Sequence, residues 1–449
     1  MTARILSISG LRGIVGNGLQ ADEATRFGAG LGSLYSGGRV ILSRDGRQSG
    51  EMLYHAVLAG LLATGCTVLD AGIAPTPTCG ILVSHFQAQG GVQLTASHNP
   101  IEWNGIKPFT SSGAVFDASW GEKLLQQLAS PPAYQPWNRL GRCQQLSDPG
   151  TIHIERVLAQ VDVSSIRRRR FRVVLDVNHG SGAIFGPRFL EALGCQVEVL
   201  GGTADGLFEH PPEPLHAHLT TLCDHVLRWG ADVGFAQDPD ADRLAVVDER
   251  GHYISEELTL ALCADHLLPR RMGAFVVNGS SSRINADLAA KHGCSFYRTA
   301  VGEAHVVARM REVGAVLGGE GNGGVIDPQV GWVRDSFAAM AYILEGLAQR
   351  QKPLSVWVSG LPRYVMRKEK IECPREVVPQ AAAALCAAFP DASIHEGDGM
   401  RLEWHDRWVQ IRASNTEPII RILAEAPDEE AVDTLCQQAL QVVRSVIRN

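Results

Sequence analysis

The sequence predicts an α/β protein built from three related doubly wound domains, followed by an α+β domain. Three observations predict this. An apolar strand, a turn, a helix and another apolar strand recur in that order through three successive stretches of the chain. Strands alternating with helices of this length form βαβ units with mostly parallel sheets. The last stretch, from about residue 367, breaks the pattern with consecutive strands and a closing helix. The chain has 449 residues, too many for one ordinary core, and that length suggests about three or four domains.

In the first stretch, Arg39–Ser43 reads as a strand, Glu51–Gly65 as a helix and Thr67–Asp70 as the next strand. A second helix fits Thr78–Gln89, and the strand Gly91–Thr95 runs into Ser97. The second copy opens on the β-branched run Arg172–Val177; Arg167–Arg170 before it invites a phosphate-binding reading but reads first as a solvated strand entrance. Helix Ala183–Leu193, strand Val197–Leu200, helix Leu215–Trp229 and strand Asp232–Ala236 follow. The third copy has strands Ala274–Asn278, Ser295–Thr299 and Ala315–Leu317, with helices Ser282–His292 and Glu303–Val313 between them. The last unit reads as strand Val365–Ile371, helix Val377–Phe389, three strands within 401–423, and helix Glu429–Val446. The predicted domains are 1–150, 151–252, 253–366 and 367–449, and Ala129–Pro149 reads as a connection.

Composition excludes several classes. The apolar fraction of 45% and charged fraction of 20% are those of a folded globular chain. A net charge of −7 disfavours a general nucleic-acid binder, which needs a basic face against phosphates. No apolar run approaches the roughly 20 residues of a membrane span, and Met1–Gly13 lacks a signal-peptide core. The ten scattered cysteines form no Cys-x-x-Cys pair and read as reduced thiols of a cytoplasmic protein.

Four motifs carry chemistry. Thr95-Ala96-Ser97-His98-Asn99-Pro100 places a serine at the tip of a polar turn after a strand, where a nucleophile is exposed on a rigid sheet. Its residues are also ordinary turn formers. His98 follows directly, suited to orient a phosphate or shuttle a proton. Asp238-Pro239-Asp240-Ala241-Asp242-Arg243 sets three carboxylates at alternating positions between two strands. Such crowding raises carboxyl pKa values unless a cation neutralises it, and hard oxygen ligands suit Mg²⁺ or Ca²⁺. A calcium-binding helical loop fails, because Arg243 stands where glycine is required and the flanks read as strands. The alternative is an exposed acidic turn. Gly318–Gly324 is glycine-rich around Glu320 and Asn322, whose polar groups suit sugar hydroxyls, although glycine alone fits a plain turn. Arg412-Ala413-Ser414-Asn415-Thr416-Glu417-Pro418 combines a guanidinium fork, two hydroxyls and an amide, either a phosphate cradle or a polar hairpin.

These motifs, in this order, resemble the α-D-phosphohexomutase superfamily, which includes phosphoglucomutase, phosphomannomutase and phosphoglucosamine mutase. The resemblance spans essentially the whole chain. It begins at Ser9-Gly10-Leu11-Arg12-Gly13, continues through Arg44-Asp45-Gly46-Arg47-Gln48-Ser49-Gly50, and includes Asn104-Gly105-Ile106-Lys107. It implies a heart-shaped, four-domain fold whose last domain is TATA-box-binding-protein-like, with one site loop from each domain. It further implies transfer between the 6- and 1-positions of a hexose phosphate through phospho-Ser97 and a hexose 1,6-bisphosphate. By motif position, Asp238, Asp240 and Asp242 bind Mg²⁺ with a phosphoserine oxygen. Arg12, Lys107 and Arg243 line the transfer site, with Lys107 favoured over His98 as general acid/base. Glu320 and Asn322 contact sugar hydroxyls, and Arg412, Ser414, Asn415 and Thr416 hold the other phosphate.

Two departures stand out. The sugar loop reads Glu-Gly-Asn-Gly-Gly, where many bacterial members have Glu-x-Ser-Gly-His. The loop Thr299–His305 lacks the usual Lys or Arg after Val-Gly, and His305 is expected in its place. The expected partner is a small sugar phosphate, glucosamine 6-phosphate first and mannose or glucose phosphate next. No nucleic acid or membrane is expected, and the enzyme is expected as a monomer or homodimer. A serine phosphatase has no use for a second phosphate cradle, and a non-catalytic sensor would have lost Ser97 or an aspartate.

Overall fold

A computed structural model describes residues 4–7, 10–413 and 419–448. Four sheets follow one another along the chain. The first has seven strands in the order Arg4–Ser7, Gly10–Ile14, Trp103–Thr110, Gly90–Leu94, Arg39–Arg44, Thr67–Ile73 and Arg142–Gln145. The last four of these pair in parallel, as the alternating pattern predicts. The first three add an antiparallel edge, so this sheet is mixed rather than mostly parallel. Arg142–Gln145 lies inside the stretch expected to be a connection, but it pairs with Thr67–Ile73 and completes the sheet.

The second sheet orders Tyr253–Ile254, Leu244–Asp248, Val233–Gln237, Arg172–Asp176 and Gln196–Leu200. The third orders Ser295–Thr299, Ala274–Asn278, Leu317–Glu320 and Gly324–Ile326. Each is parallel at its centre with an antiparallel hairpin at one edge. Central strands such as Val233–Gln237 and Ala274–Asn278 are buried along their whole length, which explains their continuous apolar runs. Arg167–Arg169 are not a strand entrance. They form the last turn of helix Val163–Arg169, where cations complement exposed carbonyls, and Arg170 closes it at φ 50°.

The fourth sheet is wholly antiparallel, in the order Val365–Glu372, Ile419–Ala426, Trp408–Ala413, Gly399–Glu403 and Ser393–Gly397. Helices Val378–Ala388 and Glu429–Arg448 cover it. Three α/β domains and an α+β domain are thus the architecture.

Core packing divides the molecule unevenly. One apolar core runs through the first three domains, joining Ile81, Phe189, Phe235, Phe275 and Phe337. Helix Ser336–Arg350 sits at its centre, buried on nearly every face and capped by Asp335, whose side chain accepts the N–H groups of Phe337 and Ala338. The fourth domain keeps a separate core around Leu402, Ile411, Ile422, Val432 and Val443. It meets the third domain mainly through polar contacts, such as Arg298 with Glu403 at 3.1 Å and Arg401 with the Gly279 carbonyl at 2.8 Å.

Candidate active site

The strand Gly90–Leu94 delivers Ser97 into a turn that closes over it. Ser97 is 1% exposed and takes φ 50°, a left-handed conformation that non-glycine residues adopt only when surroundings enforce it. Its N–H donates to Thr95 Oγ1 at 2.8 Å, and its Oγ donates to Asp238 Oδ2 at 2.9 Å. The serine of the first domain therefore touches the aspartate loop of the second. His98 Nδ1 stands 3.4 Å from Ser97 Oγ. The charge on Arg243, then burial, then Arg12 hold the His98 imidazole well below its ordinary pKa.

Asp238, Asp240 and Asp242 are each fully buried on the turn between strands Val233–Gln237 and Leu244–Asp248. Each offers one carboxylate oxygen within 4.8 Å of the others. Asp238 Oδ1 accepts the N–H groups of Asp242 and Arg243, both at 3.1 Å. Asp240 Oδ2 accepts from Thr76 at 2.5 Å and from Lys107 at 3.0 Å. Lys107 also reaches Asp242 Oδ2, at 3.2 Å. Asp240 Oδ1 and Asp242 Oδ1 are buried without a hydrogen-bond partner among the described residues. Orphaned carboxylate oxygens are costly, and in a hard-oxygen trio they fit a divalent cation.

The electrostatics agree. Burial, with Asp240 and Asp242 adding their charges, drives the Asp238 carboxyl well above the ordinary range. Burial alone would raise Asp240 too, but Lys107 and Thr76 hold it low. Burial opposes the charge on Lys107, yet Asp240 and Asp242 raise its pKa, so its ammonium persists. Arg243 Nε lies 3.8–3.9 Å from Asp242 and Asp238. Arg12 is half-buried and donates to Asn99 Oδ1 at 3.3 Å.

Glycine permits the hairpin that carries the sugar loop: Gly319 and Gly323 take φ 158° and 85°. Glu320 is buried, and its carboxylate accepts from Asn278 at 2.8 Å, the Gly302 N–H at 3.1 Å and Arg334 at 2.5 Å. Asn322 is half-buried, with Nδ2 3.4 Å from Glu320 Oε2. His305 is exposed in the first turn of helix Glu303–Val313, and its side chain has no hydrogen-bond or ion-pair partner among the described residues. Arg412 is half-buried, 3.6 Å from Asp398, and its Nε has no hydrogen-bond partner among the described residues. Asp398 in turn accepts the Val301 N–H of the third domain at 3.2 Å. Ser414, Asn415 and Thr416 lie outside the described residues.

The structure thus brings Ser97, His98, Lys107, the three aspartates, Arg12 and Arg243 into one cluster, with Glu320 joined to it through Arg334. Sequence reasoning assigned no role to Arg334, Glu303, Thr76 or Arg47. Arg334 donates to both Asp242 and Glu320, and its N–H donates to Glu303. Its local sequence is that of a residue before a helix cap, which gives no sign of burial.

Comparison with known proteins follows the same order of domains. The chain matches the phosphoglucomutase/phosphomannomutase alpha/beta/alpha domains I, II and III over residues 4–134, 151–251 and 256–364. It matches the C-terminal domain of that family over residues 365–442. A probable phosphoglucosamine mutase of Methanopyrus kandleri is 36% identical over 443 residues, covering 98% of this chain and 97% of the relative. A phosphoglucomutase/phosphomannomutase of Thermococcus kodakarensis is 36% identical over 456 residues, covering 99% of each. The crystal structure of a phosphoglucomutase/phosphomannomutase family protein from Burkholderia thailandensis is 28% identical, with a TM-score of 0.88 over 98% of this chain and 97% of that one. The chain therefore belongs to the phosphoglucomutase/phosphomannomutase family of α-D-phosphohexomutases, enzymes that shift a phosphoryl group between positions of one sugar phosphate.

Proposed function

We propose that the enzyme interconverts glucosamine 6-phosphate and glucosamine 1-phosphate through phospho-Ser97 and a 1,6-bisphosphate. The observation that carries the role of Ser97 is its hydroxyl, held 2.9 Å from Asp238 beside a trio of buried aspartates. The glucosamine preference rests on the full-length relatives named probable phosphoglucosamine mutases, at 32–36% identity. The Thermococcus kodakarensis phosphoglucomutase/phosphomannomutase, at the same 36%, supports mannose or glucose phosphate as a second reading.

Asp238, Asp240 and Asp242 would hold Mg²⁺ together with a phosphoserine oxygen. When bound, the ion neutralises charge on the transferring group. Arg12, Lys107 and Arg243 add positive charge on the same side, where phosphoryl transfer needs positioning and neutralisation above all. The free sugar hydroxyl attacks the phosphorus of phospho-Ser97. The new P–O bond forms as the bond to Ser97 Oγ breaks. The hydroxyl loses a proton as Ser97 Oγ regains one, and Lys107, with His98 beside Ser97, carries that exchange. The bisphosphate then turns over, and its other phosphoryl group returns to Ser97.

Glu320 and Asn322 face the sugar hydroxyls in this reading. Arg412, Ser414, Asn415 and Thr416, with His305, grip the phosphate not being transferred. That grip must release for the turnover, and the separate core of the fourth domain supports such motion. No helix among the described residues is long and apolar enough to cross a membrane, and all ten cysteines are free thiols. The free thiols support a cytoplasmic enzyme, which we read as a monomer or homodimer. The test is a coupled assay of kcat/KM on glucosamine, mannose and glucose 6-phosphates, each primed with its 1,6-bisphosphate. The highest value is expected on the glucosamine substrate; equal values on all three overturn the preference.

A further inference from the structure

We infer that Arg47 is a positioning residue for phosphoryl transfer, setting the angle at which Ser97 presents its Oγ without touching the substrate. The inference rests on the reading of Ser97 as phosphoryl carrier. The guanidinium of Arg47 is 1% exposed and donates to four backbone carbonyls between Ser97 and the start of strand Trp103–Thr110. Nη2 reaches Ser97 O at 2.7 Å and Asn99 O at 2.6 Å; Nη1 reaches Pro100 O at 2.7 Å and Trp103 O at 2.8 Å. On its inner side Nε pairs with Asp45 at 3.3 Å.

Asp45 serves the other half of the same residue. Its Oδ2 accepts the Thr95 hydroxyl at 2.6 Å, and Thr95 Oγ1 accepts the Ser97 N–H. Both backbone polar groups of Ser97 therefore end on the Asp45–Arg47 pair, one directly and one through Thr95. This is what holds a serine at φ 50°. The nucleophile's side chain remains outside the clamp, directed at Asp238.

The second domain seals the pair. The Phe208 ring lies 5.0 Å from the guanidinium carbon, and Gly206, at φ 68°, packs so close that a Cβ would stand 2.6 Å from Arg47 Cα. Arg47 is thus shut away from any ligand and can act only through the turn. Lysine cannot replace it, because a single ammonium lacks the planar fork that serves carbonyls on both edges. Three of the carbonyls it binds belong to one turn and the fourth, of Trp103, opens the next strand, so its loss should misplace the nucleophile while the sheets persist. A shift of about 1 Å in a reacting group costs about 100-fold in rate.

The test compares wild type, Arg47→Ala, Arg47→Lys and Thr95→Val, all as full chains. The readouts are kcat, KM and the rate at which ³²P from a labelled hexose 1,6-bisphosphate appears on Ser97. Both Arg47 variants are expected to lose about 100-fold in kcat and in labelling rate, with KM held near wild type. Millimolar guanidinium is expected to restore part of the Arg47→Ala rate, and equal NaCl to restore none. A folded Arg47→Ala enzyme with wild-type kcat overturns the inference, as does a loss confined to KM. Should Arg47→Ala not fold, Thr95→Val decides: it cuts the Ser97 N–H arm, and wild-type kcat there overturns the inference. Absence of label on Ser97 in wild type would instead overturn the phosphoserine reading.

Discussion

Arg334 Nη2 donates to Asp242 Oδ2 across 2.6 Å, while its Nη1 reaches Glu320 at 2.5 Å. One buried cation thus ties the aspartate turn of the second domain to the sugar loop of the third. Burial would lower its pKa, but Asp242, Glu303 and Glu320 raise it well above the ordinary value, so the charge is permanent. Arg334→Met leaves buried Glu320 and Glu303 without their ion-pair partner, while Asp242 keeps Lys107. Breaking one side of a buried pair costs about 3–5 kcal/mol, and urea unfolding should show a loss of that order. An unchanged midpoint would contradict the shared-cation account.

The aspartate trio makes a second expectation. Two of its oxygens have no hydrogen-bond partner among the described residues, so a cation that binds only the folded chain should stabilise it. Mg²⁺ at 100 times its Kd is expected to add about 2.7 kcal/mol, read as a rise in Tm. Chelation should abolish turnover. Asp240→Asn should remove the Tm response while the protein stays folded. A Tm indifferent to Mg²⁺ in wild type would sink the assignment of these residues to a metal.

Away from the site, Glu257 gives a pH dependence. It is buried where the third domain meets the fourth, accepting from the Ser282 N–H at 2.9 Å and from Lys368 at 3.2 Å. Glu256 shares the same ammonium at 2.9 Å and stays ionised, while burial pushes Glu257 up to about 7. Its folded pKa therefore exceeds the unfolded carboxyl value of about 4.3. The stabilisation is complete below the unfolded value and is lost as pH rises through about 7. Wild type should lose denaturant resistance between about pH 5 and pH 8 relative to Glu257→Gln. Parallel profiles for the two proteins would contradict it.

Much of the fold was legible in the chain. The strands Ala274–Asn278 and Ser295–Thr299 and the helix Glu303–Val313 stand where periodicity puts them. The antiparallel edge Gly10–Ile14 and Trp103–Thr110 was not, because a glycine-bearing strand beside functional loops has no clean alternation. Helix Ser336–Arg350 is buried almost all round, so it lacks the polar stripe that marks an amphipathic helix. The predicted helix over 215–229 splits into a short 3₁₀ turn at His216–His218 and helix Thr220–Trp229.

For the site, three of the four motifs sufficed to gather Ser97, the aspartates and Glu320. Arg334 escaped notice, and Arg47, quoted within Arg44–Gly50, received no role, because each acts on residues more than a dozen positions away.

Mutase turnover of Ser97→Ala tests the central claim most directly. The substitution removes one hydroxyl and its 2.9 Å bond to Asp238, so the fold and its Tm should persist. The expected result is no interconversion of hexose 6-phosphate and 1-phosphate above background with saturating 1,6-bisphosphate. Turnover near the wild-type rate in the folded variant would contradict a phosphoserine enzyme.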